Sequence, residues 1–310
     1  MDYIWFILGL ITLVVAGEIL VKGAVGVANS FKISPLVVGM TVVSMGTSMP
    51  ELLVSIKAAL GGVPDIAIGN VLGSNVANIA LVMGLSALIF PLAVEADTLK
   101  FDYPAMMIAT LLLYVFMFDL NLELWEGIIF VIFLVSYIVF IIRKSRKENI
   151  SIEVEEGGQE KSKMGLNILF VFIGCVGLVY GADWLVNGAT GIAKQFGVSD
   201  LVIGTTVVAF GTSVPELVTS CIAAFRKQTD ISVGNLIGSN LFNILAILGI
   251  TSIIKEIPIN SFALSRDMLW VIGVSAILLP MMYIGKKVVN RFYGLILLVG
   301  YGIFVYLVIV

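Results

Sequence analysis

The stretch Gly46-Thr47-Ser48-Met49-Pro50-Glu51 sets a carboxylate directly after a proline in the middle of an apolar run. Gly211-Thr212-Ser213-Val214-Pro215-Glu216 does the same again. Both runs are long enough to cross a bilayer, where a charged side chain costs about 2.5–3.5 kcal/mol on insertion scales and marks a functional site by default. Proline lacks an N–H, so it cannot bond the carbonyl four residues back; Pro50 thereby frees Gly46, and Pro215 frees Gly211. Each motif gathers backbone oxygen, hydroxyls and one carboxylate, which is the outline of a cation site.

The rest of the chain is built for lipid. Of its 310 residues, 59% are hydrophobic and 13% charged, where soluble domains carry about 25% charged residues; the mean hydropathy is +1.09. Histidine is absent, which removes the commonest transition-metal ligand and the usual neutral-pH proton relay. Ser-His, Cys-His and metal-His constellations go with it, so no enzyme activity is expected, and no cofactor. Cys175 and Cys221 lie within apolar runs and read as space-filling thiols. Met1-Asp2-Tyr3 carries no basic leader, so the first apolar run reads as a retained helix.

A spanning helix needs about 20 apolar residues. That criterion predicts an all-α membrane protein of about ten transmembrane helices, near 3–28, 33–60, 65–90, 102–119, 124–142, 165–190, 198–225, 230–254, 267–285 and 290–309. The segment from Arg143 to Lys163 is polar and reads as a solvated linker. The domain reading is therefore a first repeat at 1–142, a linker at 143–164 and a second repeat at 165–310. Lys32, Lys100, the basic residues of the linker, Arg226, Lys227, Lys286, Lys287 and Arg291 fall on one side, against Lys57, Lys194, Lys255 and Arg266 on the other. The positive-inside rule then makes the linker cytoplasmic and both termini external, in a multi-pass protein of the plasma membrane.

Glu51 and Glu216 are 165 positions apart, and the same offset matches Gly39 to Gly204, Gly69-Asn70 to Gly234-Asn235, Gly73-Ser74-Asn75 to Gly238-Ser239-Asn240, Asn78 to Asn243 and Gly84 to Gly249. The register runs without a gap from about residue 16 to residue 92. Five spans per half is an odd number, so the second half enters the membrane from the opposite face. Two inverted five-helix repeats with discontinuous helices meeting at the midplane are the architecture of many secondary transporters. Glu18 and Asp183 also match, and Lys22 four residues on from Glu18 reads as its i,i+4 ion-pair partner.

The second motif pair opens an apolar span in each half. Ser74 and Asn78 are four apart and share a helix face, as do Ser239 and Asn243, Thr47 and Glu51, and Thr212 and Glu216. Four faces can then converge on one cavity lined by carboxylate, amide and hydroxyl oxygen. Hard cations such as Na⁺ and Ca²⁺ want that shell. Two carboxylates about 5 Å apart repel by roughly 3 kcal/mol at an effective dielectric of 20; one Ca²⁺ or two monovalent cations would neutralise them. Asn70, Asn75, Asn235 and Asn240 read as structural hydrogen-bonding residues.

These paired motifs resemble the α1 and α2 repeats of the cation/calcium exchanger superfamily, in particular its prokaryotic sodium/calcium exchanger branch, over essentially the whole chain. The resemblance implies an antiporter that exchanges Na⁺ for Ca²⁺ by alternating access and normally extrudes Ca²⁺. The alternatives are a Ca²⁺/H⁺ exchanger and a cation channel. It implies that Glu51 and Glu216 hold Ca²⁺, and that Thr47, Ser48, Thr212, Ser213, Ser74 and Ser239, with the backbone oxygens of Ser44 and Ala209, complete the ion sites. It also implies that the first and sixth spans slide against the rest. Many relatives carry Asp where this chain has Asn78 or Asn243, so the cavity charge here is limited to the two glutamates, as in potassium-independent exchangers. The expected surroundings are Na⁺, Ca²⁺ and the lipid bilayer, with no nucleic acid, and a monomer is the simplest assembly.

Overall fold

In the computed structural model, the described residues are 1–153, 164–197 and 211–309. Eleven helices are described: α1 (Asp2–Phe31), α2 (Pro35–Thr47), α3 (Met49–Leu60), α4 (Pro64–Ile89), α5 (Thr98–Asp119), α6 (Leu124–Glu153), α7 (Met164–Gln195), α8 (Val214–Phe225), α9 (Thr229–Ile254), α10 (Ala263–Ile284) and α11 (Arg291–Ile309). Eight of them are single apolar helices long enough to cross a bilayer, and α2 with α3 makes a ninth, broken span bent by 45°. α8 is the described part of the span expected at 198–225; residues 198–210 lie outside the described set.

The break in the second span is local chemistry. Ser34 starts α2 by accepting the Val37 N–H at 3.3 Å, with Pro35 in the first turn. The helix widens to a π turn at Gly39–Val43. It stops at Ser48, whose φ of −85° and ψ of 7° lie in the bridge region. Pro50, in the first turn of α3, has no N–H to carry the ladder across. Ser213 has nearly the same backbone, φ −88° and ψ 2°, ahead of Pro215 in α8.

The repeat is legible in the backbone further along the chain than in the residues. α4 and α9 each carry a π turn where the motif asparagines stand, at Ala77–Met83 and Asn243–Leu248. α5 and α10 both open on π turns, Thr98–Asp102 and Ala263–Asp267, still 165 positions apart. These turns start the fourth and ninth spans four residues earlier than hydropathy places them. α6 likewise runs past residue 142 to Glu153, so Arg143 to Lys147 ride its last turns.

Inversion follows from four two-residue strands. β1 (Leu92–Ala93) and β3 (Ile257–Pro258) occupy equivalent places in the two halves, and β2 (Asn121–Leu122) and β4 (Val288–Val289) nearly so. β1 pairs antiparallel with β4, and β2 with β3. β1 and β2 lie at opposite ends of the spanning helix α5, so the two clasps sit on opposite faces. Equivalent strands of the two halves are therefore on opposite faces as well.

Two apolar cores hold the bundle. The larger joins α4, α5, α6, α9, α10 and α11. The smaller joins α1 and α7 to α2 and α8. Helices of one half close on those of the other: Gly84 of α4 faces Gly294 of α11, and Gly249 of α9 faces Gly127 of α6. α1 and α7 run antiparallel in contact along their length, from Phe6 against Gly188 through Leu20 against Gly174 to Gly23 against Val171. Small residues let helix backbones approach this closely in lipid. The outward faces of α1, α6, α7 and α11 are lined with exposed Ile, Leu, Val and Phe.

A methyl group on Gly174 would lie 2.8 Å from Leu20 Cα. Gly174→Leu should therefore destabilise the protein by about 1–3 kcal/mol, read as a lowered unfolding midpoint in detergent. Gly273→Ala, where no described atom comes within 4 Å, should leave the midpoint unlowered.

Candidate cation site

The two motif carboxylates stand in the first turns of α3 and α8. A helix N-terminus presents unpaired N–H groups and favours negative charge, which helps to hold each carboxylate there. Burial is nearly complete, with 1% of Glu51 and 1% of Glu216 exposed. The halves reach across to each other at this level. Ser48 of the first break donates its hydroxyl to Glu216 Oε1 at 2.9 Å, and Ser213 of the second donates to Ser74 Oγ at 3.2 Å. The two carboxylates are near enough for their charges to interact.

This region concentrates oxygen without a protein partner. Both oxygens of Glu51, Oε2 of Glu216, Oδ1 of Asn78, Oδ1 of Asn243 and Oγ of Ser239 are buried and accept no hydrogen bond from the described residues. Leaving one buried polar atom unpaired costs about 1–3 kcal/mol, and more when it is charged. Six such atoms, on α3 and α4 of one half and α8 and α9 of the other, fit a dehydrated hard cation, which accepts oxygen from carboxylate, amide and hydroxyl alike. Among the described residues no group of three or more carboxylate, thiol or imidazole side chains forms a conventional metal cluster. The charge of the site rests on its two glutamates.

Around those atoms runs a polar lattice that repeats in both halves. Thr47 donates to Asn235 Oδ1 at 3.2 Å, and Asn235 donates to Ser220 Oγ at 2.9 Å. Thr212 donates to Asn70 Oδ1 at 3.4 Å, and Asn70 donates to Ser55 Oγ at 3.1 Å and to the Glu51 carbonyl at 3.2 Å. The structure thus brings Glu51, Glu216, Asn78, Asn243, Ser48, Ser213, Ser74 and Ser239 together. It turns the hydroxyls of Thr47 and Thr212 toward the asparagines that brace the break. The Ser44 carbonyl already accepts the Ser48 N–H at 3.0 Å and the Thr47 hydroxyl at 3.3 Å. Ala209 lies outside the described residues.

Ser55 and Ser220 were missed as members of this lattice, although the 165-residue register pairs them. The ion pair expected within α1 is also different. Glu18 is held by Arg226 at the end of α8 through two guanidinium nitrogens, at 3.0 and 3.1 Å, while Lys22 lies over the Phe170 ring at 5.5 Å. A guanidinium matches a carboxylate with two parallel bonds, which an ammonium one turn away does not.

The sequence model of the sodium/calcium exchanger protein family matches residues 1–143 and 166–310. The sodium/calcium exchanger MaX1 of Methanosarcina acetivorans is 32% identical over 345 aligned residues, covering 98% of this chain and 97% of that one. The inner membrane protein YrbG of Escherichia coli is 36% identical over 84% of this chain and 82% of its own length. Among solved structures, the sodium-calcium exchanger NCX_Mj soaked with 2.5 mM Na⁺ and 0.1 mM Ca²⁺ superposes with a TM-score of 0.84 at 31% identity, covering 97% of this chain and 96% of that one. The same exchanger soaked with Na⁺ and Sr²⁺ superposes equally well, with a TM-score of 0.84.

Replacing either carboxylate by its uncharged isostere tests the site directly. Glu51→Gln and Glu216→Gln should each lower Ca²⁺ affinity more than a hundredfold, the equivalent of the roughly 3 kcal/mol lost when a buried charge loses its partner. Both variants should still elute as folded protein. Near-normal Ca²⁺ binding in either would remove that residue from the site.

Proposed function

The chain belongs to the sodium/calcium exchanger family, and from that premise we propose that it is an antiporter that drives Ca²⁺ out of the cell with inward Na⁺. One observation carries the reading: the unpartnered buried oxygens gathered about Glu51 and Glu216 where two broken helices meet. Two carboxylates in a dry site repel, so the emptied site crosses the membrane at a cost. One Ca²⁺ or two Na⁺ cancel both charges, and a site that moves only when filled couples the two ions.

The ligands of this reading are Glu51 and Glu216 for Ca²⁺, with Asn78, Asn243, Ser74, Ser239, Ser48 and Ser213 supplying neutral oxygen to Ca²⁺ and Na⁺. Thr47, Thr212 and the carbonyls of Ser44 and Ala209 complete the shell. Substrates reach the site from either face in turn, with α1 and α7 sliding as a pair against the remaining helices. That pair packs more extensively within itself than against the other helices, which supports a rigid mover. The Lys and Arg distribution supports a plasma-membrane protein with both termini external and the segment 143–164 in the cytoplasm. A third Na⁺ per cycle would make exchange electrogenic, each charge then feeling about 2.3 kcal/mol per 100 mV.

Purified protein in liposomes should move ⁴⁵Ca²⁺ against its gradient when Na⁺ is imposed on the opposite side, and should stop when Na⁺ is equal on both sides. Flux that follows a pH gradient and ignores Na⁺ would make it a Ca²⁺/H⁺ exchanger. Currents that persist without any counter-ion would make it a channel.

A further inference from the structure

Four asparagines meet across the pseudo-two-fold axis between α4 and α9, and no more than 1% of any of them is exposed. Asn78 donates its Nδ2 to Asn240 Oδ1 at 3.1 Å, and Asn243 donates its Nδ2 to Asn75 Oδ1 at 2.9 Å. Asn75 and Asn240 in turn donate their own Nδ2 to each other's backbone carbonyl, at 3.5 and 3.4 Å. The Asn240 Nδ2 also lies 3.8 Å from Met106 Sδ.

An amide side chain has a donor end and an acceptor end of nearly the same shape. Which end faces a cation is decided by what holds the other. A backbone carbonyl can only accept, so Asn75 and Asn240 must turn their NH₂ groups toward it. Their oxygens then face outward, and Asn243 and Asn78 must offer NH₂ groups to those oxygens. That leaves Oδ1 of Asn78 and Oδ1 of Asn243 pointing away from every donor, and both are unpartnered. The polarity of two main-chain carbonyls is passed through two amides to the ion site. With all four side chains buried, a reversed amide would set oxygen against oxygen.

We propose that Asn75 and Asn240 are positioning residues for transport: each locks the opposite half's amide, Asn243 and Asn78 respectively, with its oxygen toward the ion. A flipped amide would present hydrogen to a cation. The proposal rests on Asn78 and Asn243 being ligands, and it adds what orients them. Each half thus carries ligands whose orientation is set by the other half.

The test is a double-mutant cycle on Ca²⁺ binding by titration calorimetry, with full-length protein purified in detergent and checked for folding by gel filtration. Asn240→Ala should weaken Ca²⁺ binding about tenfold, the effect of one lost hydrogen bond and a freed amide. Asn78→Asp presents an oxygen to the cation whichever way it is turned, so adding Asn240→Ala, which also relieves the contact of that carboxylate with Asn240 Oδ1, should not repeat the tenfold loss. Asn75→Ala with Asn243→Asp repeats the cycle in mirror image. Equal losses in both backgrounds would reduce Asn75 and Asn240 to structural roles and overturn the proposal. Asn78→Ala with unchanged Ca²⁺ binding would instead show that Asn78 is no ligand, a separate failure. In the unsubstituted protein labelled with ¹⁵N-asparagine, the Nδ2 protons of Asn78 and Asn243 should resist exchange with and without Ca²⁺. Rapid exchange in the ion-free protein would also overturn the proposal.

Discussion

Two carboxylates buried side by side at membrane depth cannot be left as they are, and most of the fold answers to that constraint. Among the described residues no Lys or Arg pairs with Glu51 or Glu216, and the Ser48 hydroxyl donates to Glu216. A soluble enzyme would screen such a pair with water or an arginine. Here the surrounding groups are neutral oxygen, aimed inward and held from behind. The broken helix, the π turns at Asn78 and Asn243 and the close-packed glycines can all be understood as ways to bring those oxygens to one point without lining it with donors.

Holding acceptors in place without neutralising them needs a second layer. The structure supplies it through residues that use their donor ends outward. Thr47, Asn235 and Ser220 form one such line, and Thr212, Asn70 and Ser55 form its image. Each line starts at one half's break and ends on the other half's α3–α4 or α8–α9 pair. Asn75 and Asn240 close the arrangement at the axis. The symmetry is therefore more than an inherited pattern, because every brace of one half is anchored in the other.

Much of this was legible in the residues. Gly46 to Glu51 and Gly211 to Glu216 announce the breaks, the 165-residue register announces the inversion, and Ser74, Asn78, Ser239 and Asn243 announce the shared face. What was hidden depends on direction or distance that spacing does not carry. Hydropathy put the start of α5 at 102 because the π turn from Thr98 to Asp102 mixes polar and apolar residues. Glu18 had a plausible neighbour in Lys22, and nothing local reveals that Arg226, 208 positions on, lies closer. For Asn75 and Asn240 the sequence shows an amide but not which end of it faces the site. That choice is made by a main-chain carbonyl on another helix.

The two-residue clasps carry a consequence for how such a chain could arise. Leu92 and Ala93 find their partners in Val288 and Val289, and Asn121 and Leu122 find theirs in Ile257 and Pro258. α1 likewise lies against α7, and α6 against α9. A polypeptide of half this length would have unfilled seams on every one of these edges, and the only copy of itself able to fill them would be upside down. A two-chain version of this fold would need its one sequence to insert in both orientations, the two copies related by a half-turn in the membrane plane. Joining both halves in one chain holds one each way up, and lets the residues on either side of the seam differ.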